Sequence, residues 1–319
     1  MKKFLLKIFA FFFSVLILFL ICLFFVPDIR SENSLLAALP DKHALLAKAI
    51  SPKIILVGGS NVSFGFNSQK IIDAYNMPVI NTGITISLGL KFILDDVKPY
   101  INKGDIVVLS VDYECYKKSE ISSFDGKEEL VPLLFDIFPK GRNYLDFDQK
   151  IHLLHYLPNY SFSKLTVKNL FSKFQSVKPK SGYDDFYGRY SFNKYGDAYI
   201  HWTLPSITFS PEEKCNGNEQ INPDVTNFLT DFRKYVTAKN ATLVMIPPPL
   251  EATSFENQEF FIKKVALELK KIDLPLVSGA SRYEFADKYF FNNPYHLNKS
   301  GVDKHTDIVI ADLSKIIRH

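Results

Sequence analysis

Residues Ile8 to Val26 form a nineteen-residue run in which only Ser14 is polar. No water is present inside a bilayer to pair with N–H and C=O groups, so a spanning segment must bond its own backbone. About twenty apolar residues in a helix match the hydrocarbon thickness. The run is therefore read as a helix long enough to cross a membrane. A cleavable signal would have a shorter apolar core and small residues at its end, whereas "ICLFFVPDIR" places bulky side chains there. An uncleaved signal anchor is expected. Lys2, Lys3 and Lys7 lie at its amino-terminal end and no second long apolar run follows, so the positive-inside tendency puts the chain from about residue 28 outside the cytoplasm. Cleavage would change the anchoring but not the compartment, which is periplasmic or extracellular.

Setting that run aside, 319 residues with 23% charged side chains have an ordinary globular composition and can bury one substantial core. The net charge of +4 is partly made by the three lysines before the anchor, so the remainder is near neutral and nucleic acid is not an expected partner. Of three cysteines, Cys22 lies in the span. Cys115 and Cys215 could pair in an oxidising compartment, though spacing alone does not show that they do. Four N-x-S/T matches, at Asn61, Asn159, Asn240 and Asn298, are near the chance number and carry no weight.

After the span, Ser31 to Ala49 reads as a linker with a short helix interrupted at Pro40, standing the domain off the membrane. From Lys53 onward, short β-branched runs, "KIILVG", "MPVINTG", "DIVVLSVDY", "ATLVMIPPP" and "LPLVSG", alternate with amphipathic segments at 88–100, 225–236 and 258–271. Continuous apolar strands separated by helices predict an α/β fold with a parallel sheet covered on both faces. The expected division is an anchor over 1–27, a juxtamembrane linker over 28–50 and one domain over 51–319. The alternation breaks over about 117–220, an aromatic-rich insertion that either lines a ligand surface or packs as a helical layer.

The strand "KIILVG" ends in "GSNVSFGFNS", with Ser60 just past its carboxyl end, where parallel α/β sheets collect ligands and catalytic groups. Gly58 and Gly59 permit a tight strand-to-helix turn. Ser60 is then either a turn cap or a nucleophile. No lysine follows the glycines as in a phosphate-cradling loop, and Val62 stands where G-x-S-x-G has its last glycine. Near the other terminus, "FNNPYHLNKSG" puts His296 in a loop before a terminal helix starting near Asn298 or Ser300. A serine hydroxyl needs a base to take its proton, and histidine has a suitable pKa. The plainer alternative makes 296–298 a cap cluster of that helix. No His/Cys/Asp/Glu grouping has metal spacing, Asp184–Asp185 reads as a solvated loop, and neither a metal nor a cofactor is called for.

Taken together, "VGGSNVSFGFNS", "VINTGITISLGL", "VVLSVDYECY", "NKYGDAYIHW" and "YHLNKSGVDKHT" resemble the recurring blocks of the SGNH (GDSL-like) hydrolase superfamily, in its membrane-anchored, envelope-facing branch. The resemblance runs from about Lys53 to the C-terminus and is thin across the insertion. It implies a three-layer α/β/α fold and an O-acyl, by preference O-acetyl, transferase or esterase acting on a cell-envelope or secreted polysaccharide. It also implies a multispanning membrane-bound O-acyltransferase as partner. Ser60 would be the nucleophile and, through its amide, one oxyanion-hole donor. Gly83 would be a second donor, His296 the base and Asn293 its orienter. The family's third block offers an asparagine donor, but this chain has Asp112 and Tyr113 there, which with Asn61 become candidate substrate contacts. Asn293 replaces the family's aspartate. Either it orients His296, or Asp287 substitutes, or the site has decayed into a glycan-binding or scaffold protein.

Overall fold

The computed structural model describes residues 1–26, 28, 33–166 and 186–317. Helix α1, Lys2–Phe25, is long enough to cross a membrane at about 1.5 Å per residue and leaves most of its phenylalanines and leucines exposed. Its end is fastened to the body. The Ser161 hydroxyl donates to the Phe19 carbonyl at 2.8 Å, and Lys164 Nζ donates to the Leu23 carbonyl at 3.2 Å while pairing with Asp136 at 2.9 Å. A cation among the unpaired carbonyls of a helix C-terminus satisfies both hydrogen bonding and the helix dipole.

Helix α2, Ala38–Lys48, follows, then strand β1, Ile54–Gly58, a four-residue helical turn at Ser60–Ser63, helix α3, Ser68–Tyr75, and strand β2, Val79–Asn81. Helix α4, Leu90–Val97, leads to strand β3, Ile106–Ser110. The next long stretch holds short helical pieces, among them α5, Phe147–Leu154, and α6, Leu157–Ser163, which packs on α1. Helix α7, Pro223–Ala238, strand β4, Thr242–Met245, strand β5, Leu250–Glu251, helix α8, Ala252–Lys271, strand β6, Glu284–Phe285, and helix α9, Lys299–Leu313, complete the order.

The sheet is parallel with strand order β2-β1-β3-β4, and β5 and β6 form a separate parallel pair. Strand side chains alternate between two cores, as a pleat requires. Ile55, Val57, Val107, Leu109 and Met245 meet α4, α7 and α8 on one face; Ile54, Leu56, Ile106, Val108 and Val244 meet α3 and α9 on the other. Both faces are thus buried, which is why the strands read as unbroken apolar runs.

Three expectations change. "LPLVSG" forms no strand: Leu276 makes only an isolated bridge to Met245, because Pro275 offers no N–H for a ladder. Pro40 does not interrupt α2, since it stands in the first turn, where its N–H would find no intrahelical partner anyway. Nor does α2 hold the domain away from the membrane as a spacer. Leu36, Leu39 and Leu46 join the sheet's core, and the buried Lys42 donates to the Asn81 and Gly196 carbonyls at 2.9 and 2.6 Å. Burial draws the Lys42 ammonium down to about 7. The cysteines are unpaired: Cys115 is buried, and the Cys215 thiol donates to Gln258.

Candidate active site

At the carboxyl end of β1 the chain turns at once into Ser60–Ser63. Gly59 is the N-cap and no side chain caps the turn, so Ser60 is half-buried without a capping role. The turn is held instead from behind. Phe64 N–H bonds the Ser60 carbonyl, the Ser63 hydroxyl donates to Ile84 O at 3.1 Å, and Ala198 N–H bonds the Ser63 carbonyl at 2.9 Å. A Cβ on Gly83 would stand 2.6 Å from Ser63 N and 2.7 Å from Gly59 O, so only glycine lets the β2 exit pass this closely.

Asn81, at the end of β2, organises these pieces and was not legible as a site residue. Its amide donates to Val62 O at 2.9 Å and to Asp197 at 3.0 Å, and its Oδ1 accepts the Gly83 N–H at 3.0 Å. The Gly83 amide is therefore already engaged. Asp197, fully buried in the "NKYGDAY" segment, also accepts both the amide and the hydroxyl of Ser68. The insertion is thereby stitched to the β2 edge and to α3.

His296 is 3% exposed and stacks flat on Phe64, ring centroids 4.3 Å apart at 10°. This places the imidazole on the turn that begins with Ser60. Its Nδ1 lies 2.9 Å from Asn292 Oδ1, 2.9 Å from Asn293 Nδ2 and 3.4 Å from the Tyr187 hydroxyl. Nε2 is buried with no hydrogen-bond partner, so His296 and Ser60 are not bonded. Burial, aided by neighbouring His201, holds the imidazole down to about 3.

Asn293 does not present its oxygen to the ring. Oδ1 accepts the backbone N–H groups of Tyr295 and His296 at 2.8 and 2.9 Å, shaping the loop. Asn292 takes the acceptor position. Its amide donates to the Tyr187 hydroxyl at 2.8 Å, which leaves Oδ1 directed at Nδ1. With Nδ1 protonated toward Asn292 Oδ1 the Nε2 lone pair is free, the form a general base needs, whereas the Asn293 amide at the same distance favours the opposite tautomer. Asp287 is exposed and makes none of these bonds.

The remaining candidates divide. Asn61 is fully buried and its amide donates to the Ser110 hydroxyl at 3.0 Å, tying the β1 turn to the end of β3. Tyr113 turns into the core beside Tyr116, Met245 and Ile262, where burial raises its phenol. Asp112 lies over Gly59: a Cβ there would come within 3.2 Å of Asp112 Oδ2. Its Oδ1 has no partner, and burial with the charges of Glu114 and Glu212 pushes the carboxyl well above its ordinary range.

From the insertion, Phe186, Tyr187 and His201 pack in one aromatic cluster with Phe64, Phe291 and His296. Asp184–Asp185 lies outside the described residues. Among the described residues no group of three His, Cys, Asp or Glu side chains could hold a metal ion. Neither a protein-family model nor a curated protein matches this sequence.

Proposed function

We propose that this chain is a membrane-anchored serine O-acyltransferase or esterase of SGNH-like, three-layer build, acting on a cell-envelope or secreted polysaccharide on the far side of the membrane from its N-terminus. The observation that carries this reading is the pairing of an uncapping serine at the end of β1 with an unpartnered imidazole nitrogen stacked on the same turn. In the first half-reaction Ser60 Oγ attacks the acyl carbonyl carbon as its proton passes to His296 Nε2. The donor's C–O bond then breaks and Nε2 returns the proton to the leaving oxygen. A glycan hydroxyl or water repeats the sequence on the acyl-serine. The Ser60 amide, without an intrahelical partner at the start of its turn, is free to donate to the oxyanion. The resemblance supplies the acyl donor: a membrane-bound O-acyltransferase, beside which α1 would keep the domain.

A base held as low as about 3 takes a proton poorly, and Ser60 must close on Nε2 when substrate enters. Those same facts favour a second reading, a glycan-binding or scaffold protein that retains the fold without turnover. The two separate in one experiment on the full chain in detergent, using a chromogenic acetyl ester and a serine-directed phosphonate with peptide mapping. The acyl-transfer reading expects an adduct on Ser60 and turnover that falls at least about 10³-fold in Ser60→Ala. Asn292→Asp, which sets a carboxylate against Nδ1, should raise turnover by an order of magnitude or more, whereas Asn293→Asp should stay near the parent. Absence of adduct and turnover in the parent and in Asn292→Asp selects the scaffold reading.

A further inference from the structure

We infer that Asp112 acts as an uncharged acid whose O–H donates to the oxyanion formed on Ser60 attack, an inference that rests on the acyl-transfer reading above. Its placement follows from register. Gly58 of β1 pairs with Ser110 of β3, so Ser60 and Asp112 each follow a matched pair by two residues at the carboxyl ends of adjacent strands. The carboxyl lies over Gly59, and the absence of a side chain there lets Oδ2 come against the residue preceding Ser60.

The chemistry turns on the charge of that carboxyl. Asp112 is 4% exposed, and Oδ1 is sealed without a partner. A carboxylate in such a place loses hydration at Oδ1 and gains no hydrogen bond there in return, which disfavours the charged form. The groups facing it reinforce this. Glu114, 3.8 Å from Lys127 Nζ, follows on the same turn, and Glu212 approaches from the chain before α7 with Lys117 near it. Tyr113, Cys115, Tyr116 and Tyr295 complete the surroundings, all raised by burial and all uncharged at neutral pH. A protonated carboxyl is a donor where a carboxylate is only an acceptor. The Gly83 amide is engaged by Asn81, and Asp112 stands where the resemblance would put an asparagine donor.

The test uses the full chain in detergent, with single-turnover acylation by p-nitrophenyl acetate and phosphonate labelling mapped to Ser60. Asp112→Asn keeps a neutral donor and should acylate within about threefold of the parent at pH 7, while Asp112→Ala should fall about 10²–10³-fold with Ser60 still labelled. The parent should lose activity at alkaline pH as the acid ionises, and Asp112→Asn should lack that limb. Asn falling as far as Ala, Ala matching the parent, or an alkaline limb unchanged in Asp112→Asn overturns the inference while leaving Ser60 chemistry standing. An unlabelled Ser60 in the parent removes the acyl-transfer reading and the role of Asp112 with it. Should Asp112→Ala fail to fold, the alkaline limb decides alone.

Discussion

The two ends of the parallel sheet bury ionisable groups in opposite ways. At the amino ends of β1 and β3, Lys53 and Asp105 are fully buried and completely paired: Nζ to Oδ2 at 2.7 Å, Lys53 N–H to Oδ1 at 3.1 Å, Asn102 N–H to Oδ2 at 2.9 Å. At the carboxyl ends, Asp112 Oδ1, Asn61 Oδ1 and His296 Nε2 are equally buried and unpartnered. Native proteins rarely leave buried polar atoms unpaired, so the contrast separates a fastening from a place kept for something else.

Breaking the paired end should have the largest effect on stability. Asp105→Ala leaves a buried ammonium and two amides without their acceptor and should cost about 3–5 kcal/mol, read as a lower denaturation midpoint in urea. Phosphonate labelling of Ser60 per folded molecule should not change. A stability loss below about 1 kcal/mol would mean that the amino end is no better fastened than the other.

Acid sharpens the comparison next. Burial holds His296 to about 3, and His201 and His305 to about 4, below the ordinary histidine value. The unfolded chain therefore takes up protons that the folded chain refuses. Stability should be complete above about pH 6.5 and decline as pH falls toward 4, each histidine contributing up to about 1.4 kcal/mol per pH unit. Denaturation midpoints from pH 7.5 to 4.5 test this, and a flat profile would show these rings to be hydrated.

The smallest effect belongs to a surface pair. Arg189 grips Asp41 through two bonds of 2.7 Å, joining the insertion to α2, but both side chains are substantially solvent-exposed. Arg189→Ala should change stability by no more than about 1 kcal/mol, and by less in high salt. A loss as large as that of Asp105→Ala would mean that exposure does not decide what these pairs contribute.

Much of the frame was readable in one dimension. β1 to β4 are apolar runs bounded by glycine, proline or polar residues, and α7, α8 and α9 carry amphipathic periods with Asn222, Glu251 and Asn298 capping them. The α/β class and the long apolar N-terminal helix followed from local pattern, because periodicity and apolar length report which side of each element is buried. Ser60 and His296 stood out as candidates because their chemistry is rare at such positions. Asn293 was named beside His296, but Asn292 was not. Asn292 and Asn293 are adjacent amides of the same type, and only the fold of the loop turns the Oδ1 of one toward Nδ1 and the Oδ1 of the other toward two backbone amides.

The sequence by itself determined the long apolar helix, the parallel strands and the residue types at the strand ends, since these depend on hydrophobic period and on backbone freedom at glycine. Tertiary structure alone decided which polar atoms were satisfied. Asn81 reaches Gly83 and Asp197 through contacts spanning up to 116 positions, and the Asp112 carboxyl comes over Gly59 with Oδ1 unpartnered only because β3 lies beside β1. Hydrogen-bond satisfaction and desolvation depend on neighbours in space, and a chain carries those distances only once it has folded.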